Sequence, residues 1–325
     1  MTNKKYDVVA LGELLIDFTE NGLSEQGNPL LEANPGGAPC NVLSMLQKLG
    51  DKTAFIGKVG NDGFGHLLTK AVQEQGIDTT GLVYDNDVHT TLALVLKKEN
   101  GDRDFAFYRN PGADMNLKEE EVDESLIASS SIFHFGTLSL TDESVKKATQ
   151  KAVKVAKENG LTITFDPNLR EPLWRSLEEA HKQVAWGLQQ ADVVKISDNE
   201  ITWFTGMDNY DEGIAFLQKE YPNLKLICLS MGGDGSKAVY RDIHVAYPAF
   251  LQEATIETTG AGDTFCACMI HTVLENGIDH LDEEKLKEML KFANAAASLV
   301  TTKKGALRVM PTKEEVETFI ENFKR

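Results

Sequence analysis

Short apolar runs alternate with amphipathic segments along almost the whole chain, and this alternation constrains the fold more than any other feature. Runs that predict strands lie at 6–12, 53–60, 131–136, 162–166, 192–197 and 224–230. Helical patterns that each end on a glycine suited to a left-handed C-cap lie at 41–50, 65–76 and 143–160, and a further helical pattern lies at 283–306. Strands that are apolar on both faces and separated by helices predict an α/β fold, with a mostly parallel sheet covered on two sides.

The segment 88–112 breaks this rhythm. Its residues alternate with period two on either side of Asn100 and Gly101, a dipeptide typical of a tight hairpin turn. The segment 14–34 also lacks a helical period. We expect these two segments to form a small β-sheet that serves as a lid or an interface, inserted into a single domain that spans 1–325.

The composition excludes several classes of partner. The chain of 325 residues carries 33 basic and 50 acidic residues, a formal charge of −17, which argues against nucleic acid or an anionic membrane as the main partner. No stretch approaches the roughly 20 apolar residues of a membrane span, and no signal peptide is recognisable, so we expect a cytoplasmic protein. Neither a zinc site nor a disulfide framework is expected from the cysteines, which have no CxxC pair: Cys40, Cys228, Cys266 and Cys268.

The segment ETTGAGDTFCACMI, at 257–270, has the features of an anion-binding helix start. Gly260 and Gly262 flank Ala261 just before Asp263 and an apolar run with helical spacing. The chain has no GxxxxGK[ST] P-loop, and this segment fails the last glycine of GxGxxG, so a dinucleotide site and an oxidoreductase are disfavoured. The backbone N–H groups of Ala261, Gly262 and Asp263 would still be unpaired at a helix start, where they and the helix dipole favour an anion.

Asp263 itself is open to two interpretations at this point. A carboxylate at a helix start is commonly an N-cap or a complement to the helix dipole. It could instead be a base that accepts a proton from an alcohol, while the neighbouring N–H groups stabilise charge on a transferring phosphoryl group. In a loose phosphoryl-transfer transition state the proton leaves late, so an aspartate of ordinary pKa is adequate for this role.

Four other polar or glycine-rich segments fall at the same predicted edge of the sheet, where open α/β sheets bind ligands. Asp17 follows the first strand, and by itself it could equally be a strand-end cap. The glycines and Asn41 of NPGGAPCN, at 34–41, would let the backbone approach a polar ligand closely. The other two segments carry Asp166, Asn168 and Arg170 at 165–174, and Ser230, Gly232 and Gly235 in a glycine loop at 229–236.

Together these motifs make the chain similar to the ribokinase-like (PfkB) carbohydrate kinases, and within that family to the fructokinases. The resemblance runs from about residue 6 to 320 and rests on GGAPCNVLSMLQKLG (36–50), TTGAGDTF (258–265), FYRNPGADM (107–115), DPNLREPLW (166–174) and VVKISDNE (193–200). It implies a three-layer α/β sandwich with a small β-sheet lid. It also implies transfer of the γ-phosphate of ATP to a primary hydroxyl of a hexose, here D-fructose, with Mg²⁺ present.

The resemblance further implies roles for single residues. Asp263 would be the catalytic base, and the N–H groups of Ala261, Gly262 and Asp263, which follow Gly260, would form the anion hole. Arg170 would reach the phosphates. The sugar would contact Asp17, Gly36, Gly37, Asn41, Arg109 and Asn168. The nucleotide would be bound along Lys195, Ser197, Glu200, Ser230, Gly232, Gly235 and Asn294.

At three positions the role that the family pattern implies is less certain to apply or has an alternative. Glu257 stands where the family usually has an aspartate beside a monovalent cation, so activation by K⁺ is open to test. Ser197 stands where many relatives have the asparagine of an N-x-x-E motif, as it often does in fructokinase-like members, so the Mg²⁺ role falls on Glu200, through water. Arg109 has an alternative as a solvated surface charge on the hairpin.

The sequence leaves two other functions open. A kinase for 2-keto-3-deoxygluconate, or for another ketose or a riboside, would share the whole framework. A catalytically silent sugar-binding regulator could be built on the same fold, although it would not need the base Asp263. We also expect a homodimer formed through the lid, because a half-buried two-stranded flap needs a partner surface to be stable.

Overall fold

The computed structural model describes residues 4–97 and 103–323. The strands within these residues are β1 (Tyr6–Leu11), β2 (Leu15–Leu23), β3 (Pro29–Gly36), β4 (Thr53–Gly60), β5 (Asp78–Asp85), β6 (Leu92–Lys97), β7 (Arg103–Tyr108), β8 (Ser130–Gly136), β9 (Thr162–Asp166), β10 (Val193–Ser197), β11 (Leu226–Ser230), β12 (Ser236–Tyr240) and β13 (Ile243–Tyr247). The α-helices are α1 (Ala38–Lys48), α2 (Gly63–Glu74), α3 (Glu124–Ala128), α4 (Glu143–Glu158), α5 (Leu177–Gln190), α6 (Asp198–Thr205), α7 (Tyr210–Glu220), α8 (Ala261–Asn276), α9 (Glu283–Val300) and α10 (Lys313–Asn322).

Nine of the described strands form the main sheet, in the order β13-β12-β11-β10-β9-β8-β1-β4-β5. The pairs from β11 to β5 are parallel, and β12 and β13 add an antiparallel edge. The mostly parallel sheet expected from the sequence is confirmed, and each of the predicted strands is present within two residues of its predicted bounds. The helical pattern at 283–306 is shorter than predicted, because α9 ends at Val300 and turns follow it.

Helices cover the main sheet on both faces, as the two-sided apolar strands predicted. Val8 and Ala10 of β1 belong to a core with α1, α8 and α9, whereas Val9 and Leu11 belong to a second core with α4, α5 and α7. The alternation along β1 therefore divides one strand between two hydrophobic layers. All four cysteines are buried and free. Among the described residues, no helix is both long and apolar enough to cross a membrane.

A second sheet has the strand order β3-β2-β6-β7. β2 pairs in parallel with β6 and antiparallel with β3, and β6 and β7 form the expected antiparallel hairpin. Its strands fall in or next to the two segments that the sequence set apart, 14–34 and 88–112. The predicted turn at Asn100 and Gly101 lies outside the described residues.

Candidate active site

A cleft of about 510 Å³ lies between the second sheet and the carboxyl edge of the main sheet. This volume is in the range of small-molecule sites. The second sheet contributes Thr19, Asn34 and Phe107 to its wall. The cleft also brings together most of the residues predicted to bind sugar or phosphate: Asp17, Gly36, Gly37, Asn41, Asn168, Arg170, Lys195, Glu257, Gly260, Gly262 and Asp263.

Asp263 lies in the first turn of α8 but does not cap it. The N-cap residue is Gly260, which has a φ of 78°, and no side chain in the described part of the protein caps this helix. A Cβ on Gly260 would lie 2.6 Å from the Cβ of Ala306, so the turn requires glycine on both counts. The carboxylate of Asp263 is turned to Asn41, whose Nδ2 donates to Oδ2 at 2.8 Å. The interpretation of Asp263 as a simple N-cap is therefore wrong.

Two backbone donors are free at this helix start. The N–H groups of Gly262 and Asp263 have no acceptor within the described part of the chain, as the first turn of a helix leaves them. The N–H of Ala261, by contrast, donates to the carbonyl of Thr258 at 3.2 Å. The predicted group of three donors is thus reduced to two in this structure, because the left-handed turn at Gly260 folds Ala261 back on the preceding loop.

The charges around Asp263 oppose each other. Burial raises the pKa of its carboxyl, whereas the hydrogen bond from Asn41 and the charges of Lys195 and Arg170 lower it. Burial also raises the pKa of Asp17 to about 7; Arg170 works against this shift, and Asp263 and Glu257 add to it. The sugar end of the cleft is therefore rich in carboxyl groups.

Two glycines let the backbone approach closely at this end. A Cβ on Gly36 would lie 2.2 Å from Oδ2 of Asp17, and a Cβ on Gly37 would lie 2.4 Å from the carbonyl oxygen of Glu13. Gly37 also has a φ of 127°, which side chains rarely adopt. Beside them, Oδ1 of Asn41 is buried without a hydrogen-bond partner among the described residues. A ligand hydroxyl is the kind of group that would satisfy it.

The loop after β9 carries Asn168 and Arg170 into the cleft. Asn168 has a φ of 41°, and its N–H donates to Oδ1 of Asp166 at 3.1 Å. Among the described residues, the exposed Arg170 donates only to the neighbouring carbonyl of Leu169, at 3.2 Å. Its guanidinium is therefore available to an anion in the cleft.

Lys195 and Asp166 form a buried ion pair beneath the cleft, with Nζ 3.2 Å from Oδ2. Burial by itself lowers the pKa of Lys195, but the carboxylates of Asp166 and Glu200 raise it above its ordinary value. The ammonium group is therefore charged. A Cβ on Gly262 would lie 3.2 Å from Nζ, which places this charge directly behind the first turn of α8.

Glu200 and Ser197 form a capping box at the start of α6. Oε2 of Glu200 accepts from the N–H and the hydroxyl of Ser197, both at 2.8 Å, and Oε1 accepts from the N–H of Leu169 at 2.7 Å. Glu200 thus ties the loop after β9 to the end of β10. No group of three or more His, Cys, Asp or Glu side chains in the described residues is arranged to hold a metal ion.

The remaining predicted nucleotide residues lie outside the cleft, toward β11 and α9. Nδ2 of Asn294 donates to the carbonyls of Tyr247 and Pro248, at 3.0 and 3.2 Å. Ser230 ends β11, and Gly232 and Gly235 follow it with φ values of 51° and 95°. The structure brings these residues to one edge of the sheet but not into contact with the cleft.

Glu257 lines the cleft, but its carboxylate also has a partner in the protein. Oε1 accepts from the N–H of Gly305 at 2.7 Å. This bond joins the loop before α8 to the loop after α9. The predicted K⁺ site at Glu257 therefore has one oxygen already bonded to the backbone.

Arg109 does not line the cleft, and neither of its predicted roles fits the structure. Its guanidinium is 4% exposed and donates to Asp114, with Nε to Oδ2 at 2.8 Å, to the hydroxyl of Thr141 at 2.9 Å and to the carbonyl of Leu138 at 2.9 Å. Asp114 also accepts from the hydroxyl of Thr91. One carboxylate therefore holds both ends of the hairpin, just before β6 and just after β7. Arg109 is a buried structural residue.

Glu13 and Lys304 also line the cleft, and sequence reasoning gave neither of them a role. Glu13 lies next to Asp17 in GELLID, but a single glutamate after a strand carries no specific signal. Lys304 donates from Nζ to Oδ1 of Asn21 on β2, at 3.2 Å, and so joins the second sheet to the body. His134 of β8 is buried, and burial lowers its pKa to about 4.

Comparison with known proteins gives consistent matches. A model described as pfkB family carbohydrate kinase matches residues 5–313. The chain is 41% identical over 316 residues to fructokinase-1 of Zea mays, with 97% of each chain covered. A fructokinase of Xylella fastidiosa with bound ATP is 29% identical, with a TM-score of 0.88 over 97% of this chain and 98% of that one. A fructokinase of Vibrio cholerae O395, solved with fructose, ADP and a calcium ion, is 28% identical, with a TM-score of 0.86 over 97% and 99%.

Proposed function

Because the chain belongs to the pfkB family of carbohydrate kinases, we propose that it is a fructokinase that transfers the γ-phosphate of ATP to the O6 hydroxyl of D-fructose. One observation carries the proposal. A carboxylate, Asp263, is held at 2.8 Å by Asn41 beside the free N–H groups of Gly262 and Asp263, in a cleft of suitable volume for a sugar.

In this proposal the carboxylate of Asp263 accepts the proton of the sugar hydroxyl. The hydroxyl oxygen bonds to the γ-phosphorus as the bond from that phosphorus to the bridging oxygen of ADP breaks. The N–H groups of Gly262 and Asp263 stabilise the negative charge of the phosphoryl oxygens. Arg170 adds a cation that no carboxylate of the described residues binds. Burial raises the pKa of Asp263 on balance, and the hydrogen bond from Asn41 works against this rise and so favours the ionised form.

The sugar end suits a neutral polyol. Asp17 offers acceptors, and Asn41 offers the unpartnered oxygen Oδ1, so both can bind hydroxyl groups. A sugar acid such as 2-keto-3-deoxygluconate would bring a further carboxylate close to Asp17, Glu257 and Asp263, where like charges repel. This charge distribution supports fructose over that alternative, and so do the names of the full-length relatives.

The nucleotide would lie along β10 and β11, with Lys195 toward the phosphates and Asn294 toward the base. Mg²⁺, when bound, would neutralise charge on the phosphates, and Glu200 would hold it through water. The donor set fits a Mg²⁺ ion held mainly by phosphate and water, because both oxygens of Glu200 already accept protein hydrogen bonds. One oxygen of Glu257 has no hydrogen bond to the described backbone and could contact a K⁺ ion. Turnover measured against increasing KCl, with choline chloride as the control salt, would show whether K⁺ activates the enzyme.

The test is release of ADP by the purified protein with a panel of acceptors: fructose, glucose, ribose, tagatose, 2-keto-3-deoxygluconate and adenosine. We expect fructose to give the highest kcat/KM, and ³¹P and ¹³C spectra of the product to place the phosphate on O6. Highest kcat/KM for another acceptor would refute fructose as the substrate. ADP release that does not depend on any acceptor would refute sugar phosphorylation itself.

The proposal extends to a homodimer through the second sheet and to a cytoplasmic location. Three large apolar side chains of that sheet are exposed: Leu23 at 64%, Leu31 at 38% and Tyr108 at 63%. Exposed apolar surface of this kind suits an interface with a second subunit. We expect Leu23→Lys to shift the sedimentation coefficient to that of a monomer. Leu251→Lys is the matched control, since Leu251 is also exposed, at 69%, but lies outside this sheet.

The proposed cytoplasmic location is supported by the free cysteines, because free thiols are typical of a reducing compartment.

A further inference from the structure

Helix α1, which carries Asn41 into the cleft, begins without a cap of its own. Its N-cap residue is Gly37, which has no side chain to accept a hydrogen bond, and Pro39 follows in the first turn. Helix starts normally satisfy their free N–H groups with a Ser, Thr, Asp or Asn at the N-cap. Here the acceptor comes from another segment, because Oε1 of Glu13 accepts from the N–H of Ala38 at 2.8 Å.

The same residue explains why the N-cap is a glycine. A Cβ at Gly37 would lie 2.4 Å from the carbonyl oxygen of Glu13 and 3.1 Å from the Cα of Leu14. The backbone at residues 13–14 thus leaves no room for a capping side chain. The backbone of Glu13 excludes the usual cap, and its side chain replaces that cap.

The first turn of α1 leads directly to the base. The N–H of Asn41 donates to the carbonyl of Gly37 at 3.0 Å, which is the first hydrogen bond of the helix. The side chain of Asn41 then donates to Asp263 at 2.8 Å and lowers the pKa of that carboxyl against the effect of burial. A frayed first turn would move Asn41 away from Asp263.

The surroundings of Glu13 indicate that the length of its side chain, and not its charge, lets it cap α1. Glu13 is 5% exposed, and burial raises the pKa of its carboxyl to about 7. The hydrogen bond from the N–H of Ala38 and the charge of Arg109 work against this rise, and Asp114 adds to it. Other titratable groups close to it are the thiol of Cys40 and, across a cavity with room for about one water, His134 and Asp166. A protonated carboxyl keeps a carbonyl oxygen, so either form can accept from Ala38.

We propose that Glu13 is a positioning residue for phosphoryl transfer, which replaces the missing N-cap of α1 and thereby holds Asn41 against Asp263. The inference rests on the proposed role of Asp263 as the base. In this proposal Glu13 acts through Asn41, and not on the reacting hydroxyl or the phosphate. Its effect should therefore appear in kcat and in the order of the first turn of α1, and not in the KM for ATP.

Three substitutions separate reach from charge. Glu13→Gln keeps the reach and an acceptor oxygen but loses the charge, Glu13→Asp keeps the charge but is shorter by one methylene, and Glu13→Ala loses both. We expect Glu13→Gln to retain kcat within about 3-fold, and the other two to lose about 5- to 30-fold, as for the loss of a helix cap. Equal losses in all three variants would overturn the reach argument.

Two further measurements link the effect to Asn41. In an Asn41→Ala background, Glu13→Ala should cause no additional loss of kcat, because the residue it positions is gone. Full additivity would contradict the proposal. Asp282→Ala is the matched control: Asp282 caps α9 through its carboxylate at 2.9 Å from the N–H of Lys285, and its loss should leave kcat unchanged.

Hydrogen exchange without substrate separates this proposal from the proposed function. Amides of the first turn of α1 should exchange faster in Glu13→Asp and Glu13→Ala than in the unsubstituted protein or Glu13→Gln. Unchanged exchange would refute the cap whatever the activity. Faster exchange with unchanged kcat would refute the link to Asp263, whereas normal turnover of Asp263→Ala would refute the proposed function instead.

Discussion

Asn41 and Asp263 are 222 positions apart in the chain, yet Nδ2 of Asn41 donates to Oδ2 of Asp263 at 2.8 Å. One lies in the first turn of α1 and the other in the first turn of α8, so two helix starts meet at one carboxylate. The contact orients Asp263 and stabilises its ionised form.

Asn41→Ala should therefore shift the pH dependence of the reaction. Without this hydrogen bond the pKa of Asp263 rises, and the acid limb of kcat/KM moves to higher pH. A hydrogen bond to a charged group is worth about 1.5–3 kcal/mol, which corresponds to about 1–2 pH units. Steady-state kinetics across pH measure the shift. The control is Asn223→Ala, which removes an asparagine whose Nδ2 donates to the carbonyls of Leu188 and Ala191 far from the cleft, and it should leave the acid limb of kcat/KM in place.

Asp17→Asn should stabilise the ligand-free protein while impairing sugar binding. The pKa of Asp17 is raised from 3.8 to about 7, so the folded state binds more protons than the unfolded state between these values, and stability falls as pH rises through them. The substitution removes that loss. Tm should rise by a few degrees at about pH 8 and by nothing below about pH 4. An equal rise in the exposed control Asp208→Asn would contradict this cause.

Lys195→Met should destabilise the protein more than the double variant Lys195→Met/Asp166→Asn. The single substitution leaves the carboxylate of Asp166 buried and unpaired, which costs about 3–5 kcal/mol. The double variant removes both charges of a pair that is 6% and 4% exposed. Denaturant unfolding gives both free energies, and equal values would show that the pair does not act as a unit.

Arg109→Ala and Asp114→Ala should each lower the free energy of unfolding by about 3–5 kcal/mol, and the double variant by little more than either. The reason is the buried ion pair between the two side chains, with Nη2 of Arg109 2.7 Å from Oδ2 of Asp114. A raised sugar KM with unchanged stability in Arg109→Ala would instead restore the predicted sugar contact.

The main sheet was predictable because buried parallel strands are continuous apolar runs, and their separation by helices leaves few alternatives. The hairpin of β12 and β13 was missed, since it turns at Arg241 with a φ of 53° and without the Asn-Gly or Asp-Gly pair that marks such turns. β5 was missed as well, because it is a partly exposed edge strand with Gly81 in its middle.

The site was predictable to the extent that it uses local signals. Gly36, Gly37, Gly260 and Gly262 mark close backbone approaches, and the end of β9 marks the edge where Asn168 lies. Asp17, predicted just beyond the first strand, instead lies within β2 of the second sheet. The roles of Glu13 and Arg109 depend on partners fixed by tertiary structure, Ala38 for one and Asp114, Leu138 and Thr141 for the other. No local pattern encodes such contacts.

The most direct test is turnover of Asp263→Ala with ATP and fructose, together with fructose affinity measured by calorimetry. Loss of a general base lowers rates by about 10²–10⁴-fold, so kcat should fall by that factor while the sugar Kd stays nearly unchanged. Near-normal turnover of a correctly folded variant would contradict the account, because no other carboxylate is held by Asn41 beside the free N–H groups of α8 in the described structure.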